Sequence, residues 1–232
     1  MSKVSPAPYK APVVLSPHYD DAILGSAHVL IGFPESTVLT VFSGAPENAP
    51  DIADWDARCG FSSAAEAMRA RRAENEAALK LVKAQGVDLD LVDSQYRAGD
   101  PGPELRARLS DALQALQPTR VFVPLGLFHE DHHAVLEAAL FLMPSFEGCD
   151  WHAYTEALYR RKPGVVQKRL ADLLHRGIMA SPWYPDRPRY DIKRQAVAAY
   201  ASQLGPLGLI PGEGDDAAPE CYWALRPVPA DS

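Results

Sequence analysis

Two kinds of hydrophobic periodicity alternate along this chain. "PVVLSP" and "STVLTVFSG" are short β-branched runs bounded by turn residues and read as strands, and between them "DAILGSAHVLIGF" carries apolar residues at helical spacing. This predicts a βαβ opening. After a polar stretch from Ala45 to Asp56, the alanine-rich "SSAAEAMRARRAENEAALKLVKAQG" predicts the clearest helix, with a serine start and Gly86 at its end. "VDLDLVD" reads as a third strand, "GPELRARLSDALQALQP" as a helix stopped by Pro118, "TRVFVPLG" as a fourth strand, and "HHAVLEAALFLM" as the next helix. Such alternation implies an α/β fold: a Rossmann-like layer with a mainly parallel sheet and helices on both faces.

Beyond about Asp150 the pattern loosens. "WHAYTEALY" reads as a further strand, "VVQKRLADLLHRG" as a helix, and "YDIKRQAVAAYASQL" as a last amphipathic helix. The Pro/Gly-rich tail reads as a surface loop running to a final short strand. With 232 residues and no internal repeat, the chain is expected to form one domain over 1–232.

Charge narrows the partners. The formal net charge is −7 and no dense Lys/Arg run occurs, which argues against a nucleic-acid footprint or a polybasic membrane patch and points to a small-molecule partner. Cys59, Cys149 and Cys221 lie far apart without C-x-x-C spacing, so neither a zinc ribbon nor a disulfide framework is indicated and a reducing, cytoplasmic setting is expected. "MSKVSPAPYKAP" lacks the apolar core of a signal peptide, and no window reaches the roughly 18 apolar residues of a spanning helix.

Open α/β sheets bind ligands at the carboxyl ends of their strands, so polar clusters just after predicted strands carry weight. One cluster, His18, Asp20 and Asp21, follows strand one; the other, His129, Asp131, His132 and His133, follows strand four. In a strand order such as 3-2-1-4 the two turns flank the switch point and converge. Imidazoles and carboxylates brought together there are the donors of a catalytic zinc site with an open position, and they also suit iron, manganese or cobalt. The plainer alternatives are that Asp20 or Asp21 caps the helix beginning at Ala22 and that the histidine run is a solvated helix start. His28, inside a predicted helix, reads as a partly buried histidine with satisfied hydrogen bonds.

These residues resemble the PIG-L/LmbE-like deacetylases, zinc hydrolases that remove acetyl groups from N-acetylated amino sugars. "SPHYDDA" is similar to the family signature in its S-P-H-x-D-D-A form and "HEDH" to its H-x-D-H, while "RRAE", "LVDSQYR", "KRQAVAAYASQ" and "PECYW" resemble further segments in similar order. The resemblance implies that His18, Asp21 and His132 hold Zn2+ and that Asp20 is the general base. It further implies that His129 is the general acid or oxyanion-stabilising group, oriented by Asp131. His28 and His133 match no family position.

Arg71 and Glu74 resemble an R-x-x-E segment of the family, and Arg71 is expected to bind substrate, although helical i,i+3 spacing equally fits a surface ion pair. Asp93, after strand three, is placed for sugar-hydroxyl contact; Arg97 in the same loop is likewise expected to bind substrate, and Tyr96 shares that loop. The chain departs from the commoner signature at Tyr19 and Ala22, and in "HAYTEALY" it keeps only Tyr154, Glu156 and Tyr159 of a longer pattern. Three rival functions stay open: the same machinery acting on a non-sugar amide or longer acyl chain, a non-catalytic Rossmann-like binding domain, and two-metal phosphoester hydrolysis. No G-x-G-x-x-G follows strand one, which speaks against a dinucleotide-binding version of the second.

Overall fold

In the computed structural model, which describes residues 10–46, 51–185, 189–214 and 218–228, the first apolar run forms β1 (Val13–Ser16), buried at every position. A strand buried on both faces belongs in the middle of a sheet, and β1 lies parallel between β2 (Thr37–Thr40) and β4 (Arg120–Pro124). β3 (Gln85–Asp88) pairs parallel with β2, and β5 (Asp150–Tyr154) parallel with β4. β7 (Tyr222–Pro227) runs antiparallel to β5 and to the edge strand β6 (Ile178–Trp183). The order is β3-β2-β1-β4-β5-β7-β6, so the expected 3-2-1-4 neighbourhood is present and strand order reverses between β1 and β4.

Successive residues of β1 feed opposite cores. Val13 and Leu15 pack with α4 (Gly102–Leu116), α5 (Glu130–Leu142) and α6 (Val165–His175), whereas Val14 packs with α1 (Asp21–Gly32), α3 (Ala64–Val82) and α7 (Tyr190–Ala198). Two further helices are short, α2 (Asp54–Arg58) and α8 (Ala201–Leu207).

Several boundaries differ from the sequence reading. α3 begins after Ser63, whose Oγ accepts from Glu66 N as expected of a serine start, but it stops at Val82. Lys83 adopts the left-handed conformation (φ 58°) and turns the chain, which places Gly86 inside β3. β3 therefore starts earlier than "VDLDLVD" and ends at Asp88. The helix read over "YDIKRQAVAAYASQL" is two helices, broken at Tyr200 (φ −85°, ψ 51°), whose hydroxyl lies 3.0 Å from Tyr19 O and 2.9 Å from Asn75 Oδ1. β6 has no counterpart in the sequence reading: its pattern does not alternate cleanly and it contains Pro182, a residue tolerated only at a sheet edge. The N-terminal stretch "MSKVSPAPYKAP" lies largely outside the described residues.

The C-terminal segment is spliced into α1. Ser26 (φ −143°, ψ 19°) interrupts that helix. His28 N–H and Leu24 C=O, which pair with each other in an unbroken helix, meet Glu220 Oε2 and Lys193 Nζ, each at 3.0 Å. Lys193 Nζ is also 2.7 Å from Glu220 Oε1, with side chains only 1% and 0% exposed. Burial alone would raise the Glu220 pKa, but Lys193 and His28 together outweigh it and bring the carboxyl down to about 2. Just before the kink Gly25 leaves room for Tyr154: a Cβ there would stand 2.7 Å from the Tyr154 ring, whose hydroxyl donates to Leu15 O at 2.8 Å.

Removing one member of such a buried pair strands the other charge. Lys193→Met should lower unfolding free energy by about 3–5 kcal/mol in urea denaturation, and Lys193→Met/Glu220→Leu should recover only part of that loss, because the Leu24 carbonyl and the His28 amide are then left without partners.

Candidate active site

The turns after β1 and β4 stand side by side, and α1 and α5 both begin there with their positive N-termini toward the same point. Ser16 closes the first turn by accepting from Ala22 N at 2.9 Å, while Asp21 Oδ2 accepts from His18 N at 2.9 Å. Asp20 holds the cap position of α1 without any side-chain cap bond, so the capping considered for it from sequence does not occupy its carboxylate. In the second turn His129 caps α5, its Nδ1 accepting from Asp131 N at 3.2 Å, and α5 starts at Glu130 rather than at His132.

The turns bring His18, Asp21 and His132 together. Asp21 Oδ2 lies 3.2 Å from His18 Nδ1 and 3.2 Å from His132 Nε2. Ligands bound tetrahedrally at about 2.0–2.1 Å from a zinc ion stand about 3.3 Å apart, so the spacing fits. The opposite nitrogens are held by buried carboxylates: His18 Nε2 is 3.1 Å from Asp131 Oδ2, and His132 Nδ1 is 3.2 Å from Glu156 Oε1. Each imidazole can therefore donate outward to a carboxylate and present its inner nitrogen as a lone pair, the arrangement in which carboxylates orient metal-binding histidines. A second set of donors, His18, His129 and Asp131, shares His18 and lacks that support for its other imidazole.

Asp131 does not orient His129 through its carboxylate, as the resemblance implied. That carboxylate accepts from Ser94 N at 3.0 Å and from Arg97 Nη2 at 2.8 Å and faces His18; only the Asp131 backbone N–H meets His129. These interactions outweigh burial and hold the Asp131 carboxyl far below the usual range. Burial, reinforced by the charges of His18 and His132, lowers the His129 pKa to about 4. With Nδ1 accepting, neutral His129 carries its proton on Nε2. Asp20 is also buried, and that burial, with the Asp21 charge beside it, raises its pKa to about 6.

A cavity of about 400 Å3 opens over these groups, and His18, Asp20, Asp21, His129, Asp131 and His132 all line it. So do Arg71 and Asp93. Arg71 does not pair with Glu74: its Nη2 is 2.6 Å from buried Asp56, while Glu74 accepts from Ser202 N and Oγ at 2.7 and 2.8 Å. Arg97 stands outside the lining, its guanidinium taken up by Asp131, by Val92 O and by the Phe42 ring, so the substrate contact expected of it is replaced by support of Asp131. Tyr96 donates to Asp56 Oδ2 at 2.8 Å, His133 bonds to Arg169, and His28 faces Glu220, 3.3 Å away.

Sequence reasoning quoted Glu156 and Tyr159 without giving either a role. Glu156 follows the C-terminal end of β5, a signal comparable to those of the two clusters, and its Oε1 also accepts from Gly126 N and Leu127 N at 2.8 Å each. Tyr159 lines the cavity with its ring 5.4 Å from that of His132. Two residues at the rim adopt strained positive φ, Phe128 (47°) and Leu158 (67°), and Phe128 directly precedes His129.

The class so defined is an α/β protein with a mostly parallel sheet flanked by helices, whose switch point carries an imidazole–carboxylate cluster that could hold a metal ion. Residues 13–143 match the family model described as PIG-L, GlcNAc-PI de-N-acetylase, and the chain belongs to that family. Among solved structures, the A40926 pseudoaglycone deacetylase Dbv21 is 26% identical with a TM-score of 0.75, over 95% of this chain and 99% of that one. The zinc-inhibited form of teicoplanin deacetylase Orf2 is 22% identical with a TM-score of 0.75, over 94% and 98%. GalB, the 4-carboxy-2-hydroxymuconate hydratase from Pseudomonas putida KT2440, is 17% identical with a TM-score of 0.56, over 97% and 98%. The last two likenesses, at such identity, speak for the fold alone. A comparison with curated protein sequences finds no match.

Burial works against charge on both inner histidines, but Asp131 and Asp21 hold the His18 pKa well above its ordinary value, and Asp21 and Glu156 bring that of His132 up to about 9. A metal ion bound through these two inner nitrogens near pH 7 would therefore displace protons. Titration of the metal-free protein with zinc in weak buffer at pH 7 should release about two protons per site, and affinity should rise by up to about a hundredfold per pH unit below pH 9.

Proposed function

We propose that this protein is a zinc-dependent N-deacetylase that hydrolyses the acetamide of an N-acetylated amino sugar. The observation that carries the reading is the outward anchoring of His18 and His132 by Asp131 and Glu156, which turns both inner nitrogens toward Asp21. His18, Asp21 and His132 would hold the ion, and the nitrogen–oxygen donor set suits zinc, with iron, manganese or cobalt as the alternatives a reconstitution series separates. When bound, a divalent cation supplies Lewis acidity toward the amide carbonyl and toward water.

The chain's own groups do the rest. Asp20, in the lining and free of a capping bond, holds the attacking water and accepts its proton. His129, neutral with its proton on Nε2, donates a hydrogen bond to the oxygen on which negative charge develops, which selects the oxyanion-stabilising role over that of an acid charged at rest. The proton taken by Asp20 is then available to the leaving amine. Arg71 and Asp93 line the same cavity and bind the sugar, while Arg97 acts at one remove by holding Asp131. The fold does not choose this chemistry, since a hydratase shares it; the residues at the switch point do.

Acetate release should be detected from N-acetylated amino sugars, be lost on chelation and return with zinc. Asp20→Asn should cut kcat by about 10²–10⁴ while metal content, read by elemental analysis, is unchanged. His132→Ala should lose the metal as well. Loss of metal in Asp20→Asn would make Asp20 a ligand and overturn its assignment, and activity surviving chelation would overturn the proposed function.

A further inference from the structure

The cavity wall holds more polar groups than the reaction needs. Gln203, on α8, lines the cavity while only 4% exposed, and its Nε2 is buried with no hydrogen-bond partner among the described residues. Gln95 also lines the cavity: its Nε2 donates to Asp93 Oδ2 at 2.7 Å, which fixes the amide, and its Oε1 is likewise without a partner among the described residues. The third such atom is Arg71 Nε. An orphaned buried polar atom is costly, so three such atoms on side chains that line one cavity call for a ligand that completes them.

Their polarity specifies the ligand. Two are donors and one is an acceptor. A carboxylate would meet the donors but would face Gln95 Oε1 and the Asp20 and Asp93 carboxylates; an aliphatic group would meet none. Hydroxyls donate and accept, so a polyhydroxylated ring serves all three. The chain leading into Gln203 is also pinned in place. Tyr200 next to α8 lies 3.0 Å from Tyr19 O, at the residue before Asp20, and Ser202 is bonded twice to Glu74.

Building on the proposed amino-sugar deacetylase, we propose that Gln203 is a specificity-determining residue that donates from Nε2 to a ring hydroxyl. The C-terminal helix α8, outside the family-matched residues 13–143, thereby selects sugars over simple N-acetyl amines.

Gln203→Met keeps the length of the side chain and deletes the donor. With N-acetylglucosamine its KM should rise about tenfold with kcat little changed, whereas kcat/KM for N-acetylcyclohexylamine should stay within about twofold of the parent. Equal losses on both substrates, or none on the sugar, would overturn the inference. Gln203→Glu, which replaces the donor by an acceptor, should show the same selective loss and serves if the methionine variant does not fold by circular dichroism. If the parent enzyme hydrolyses neither substrate, the deacetylase reading fails separately. Calorimetric binding of glucosamine against cyclohexylamine to parent and variant then decides Gln203, a selective loss for glucosamine supporting it and no selective loss overturning it.

Discussion

Two buried carboxylates tie the active end of this molecule together. Asp131 accepts from Ser94 N and Arg97 in the loop after β3 and from His18 after β1, while itself standing in the first turn of α5. Glu156 accepts from Gly126 N and Leu127 N after β4 and from His132 on α5. The loops after β1, β3 and β4 are thus each bonded to one or the other, and Glu156 itself follows β5. A buried carboxylate needs donors, and those that meet both oxygens of Asp131 and Oε1 of Glu156 fix loop positions and imidazole tautomers together, while Glu156 Oε2 has no partner among the described residues. The geometry of the candidate metal centre follows from these bonds.

A comparable exchange anchors the second half of the chain. Lys193 and Glu220 serve the Leu24 carbonyl and the His28 amide across the kink at Ser26, so α1, which begins with Asp21, is locked to α7 and to the approach to β7. The price of burying two charges is met by two backbone groups that the kink leaves open. The consequence is functional, because the same C-terminal segment then carries α8 and Gln203 to the cavity wall.

Much of the fold was legible because parallel strands buried on both faces are near-continuous apolar runs, as in "PVVLSP" and "TRVFVPLG", and the helices between them hold their periodicity. The two polar clusters were legible for the same reason: each interrupts a pattern just after a strand. β6 was not, because an edge strand is half exposed and Pro182 breaks its pattern without breaking its pairing. Nor was the break at Tyr200, where two tertiary contacts of one hydroxyl override the helical spacing of "AVAAYASQL".

The sequence by itself determined the alternation of elements, the strand ends that carry His18, Asp20, Asp21, His129 and His132, and the absence of any basic surface run, since these depend on local pattern and composition. Tertiary structure alone decided which partner each side chain meets. It turned Asp131 from His129 toward His18, moved Arg97 out of the cavity wall, gave Arg71 to Asp56 rather than to Glu74, and brought Glu156 to His132. Those pairings join residues as far as 113 positions apart, and a buried charge takes whichever donor the packed layers deliver within about 3 Å, a distance that no one-dimensional spacing encodes.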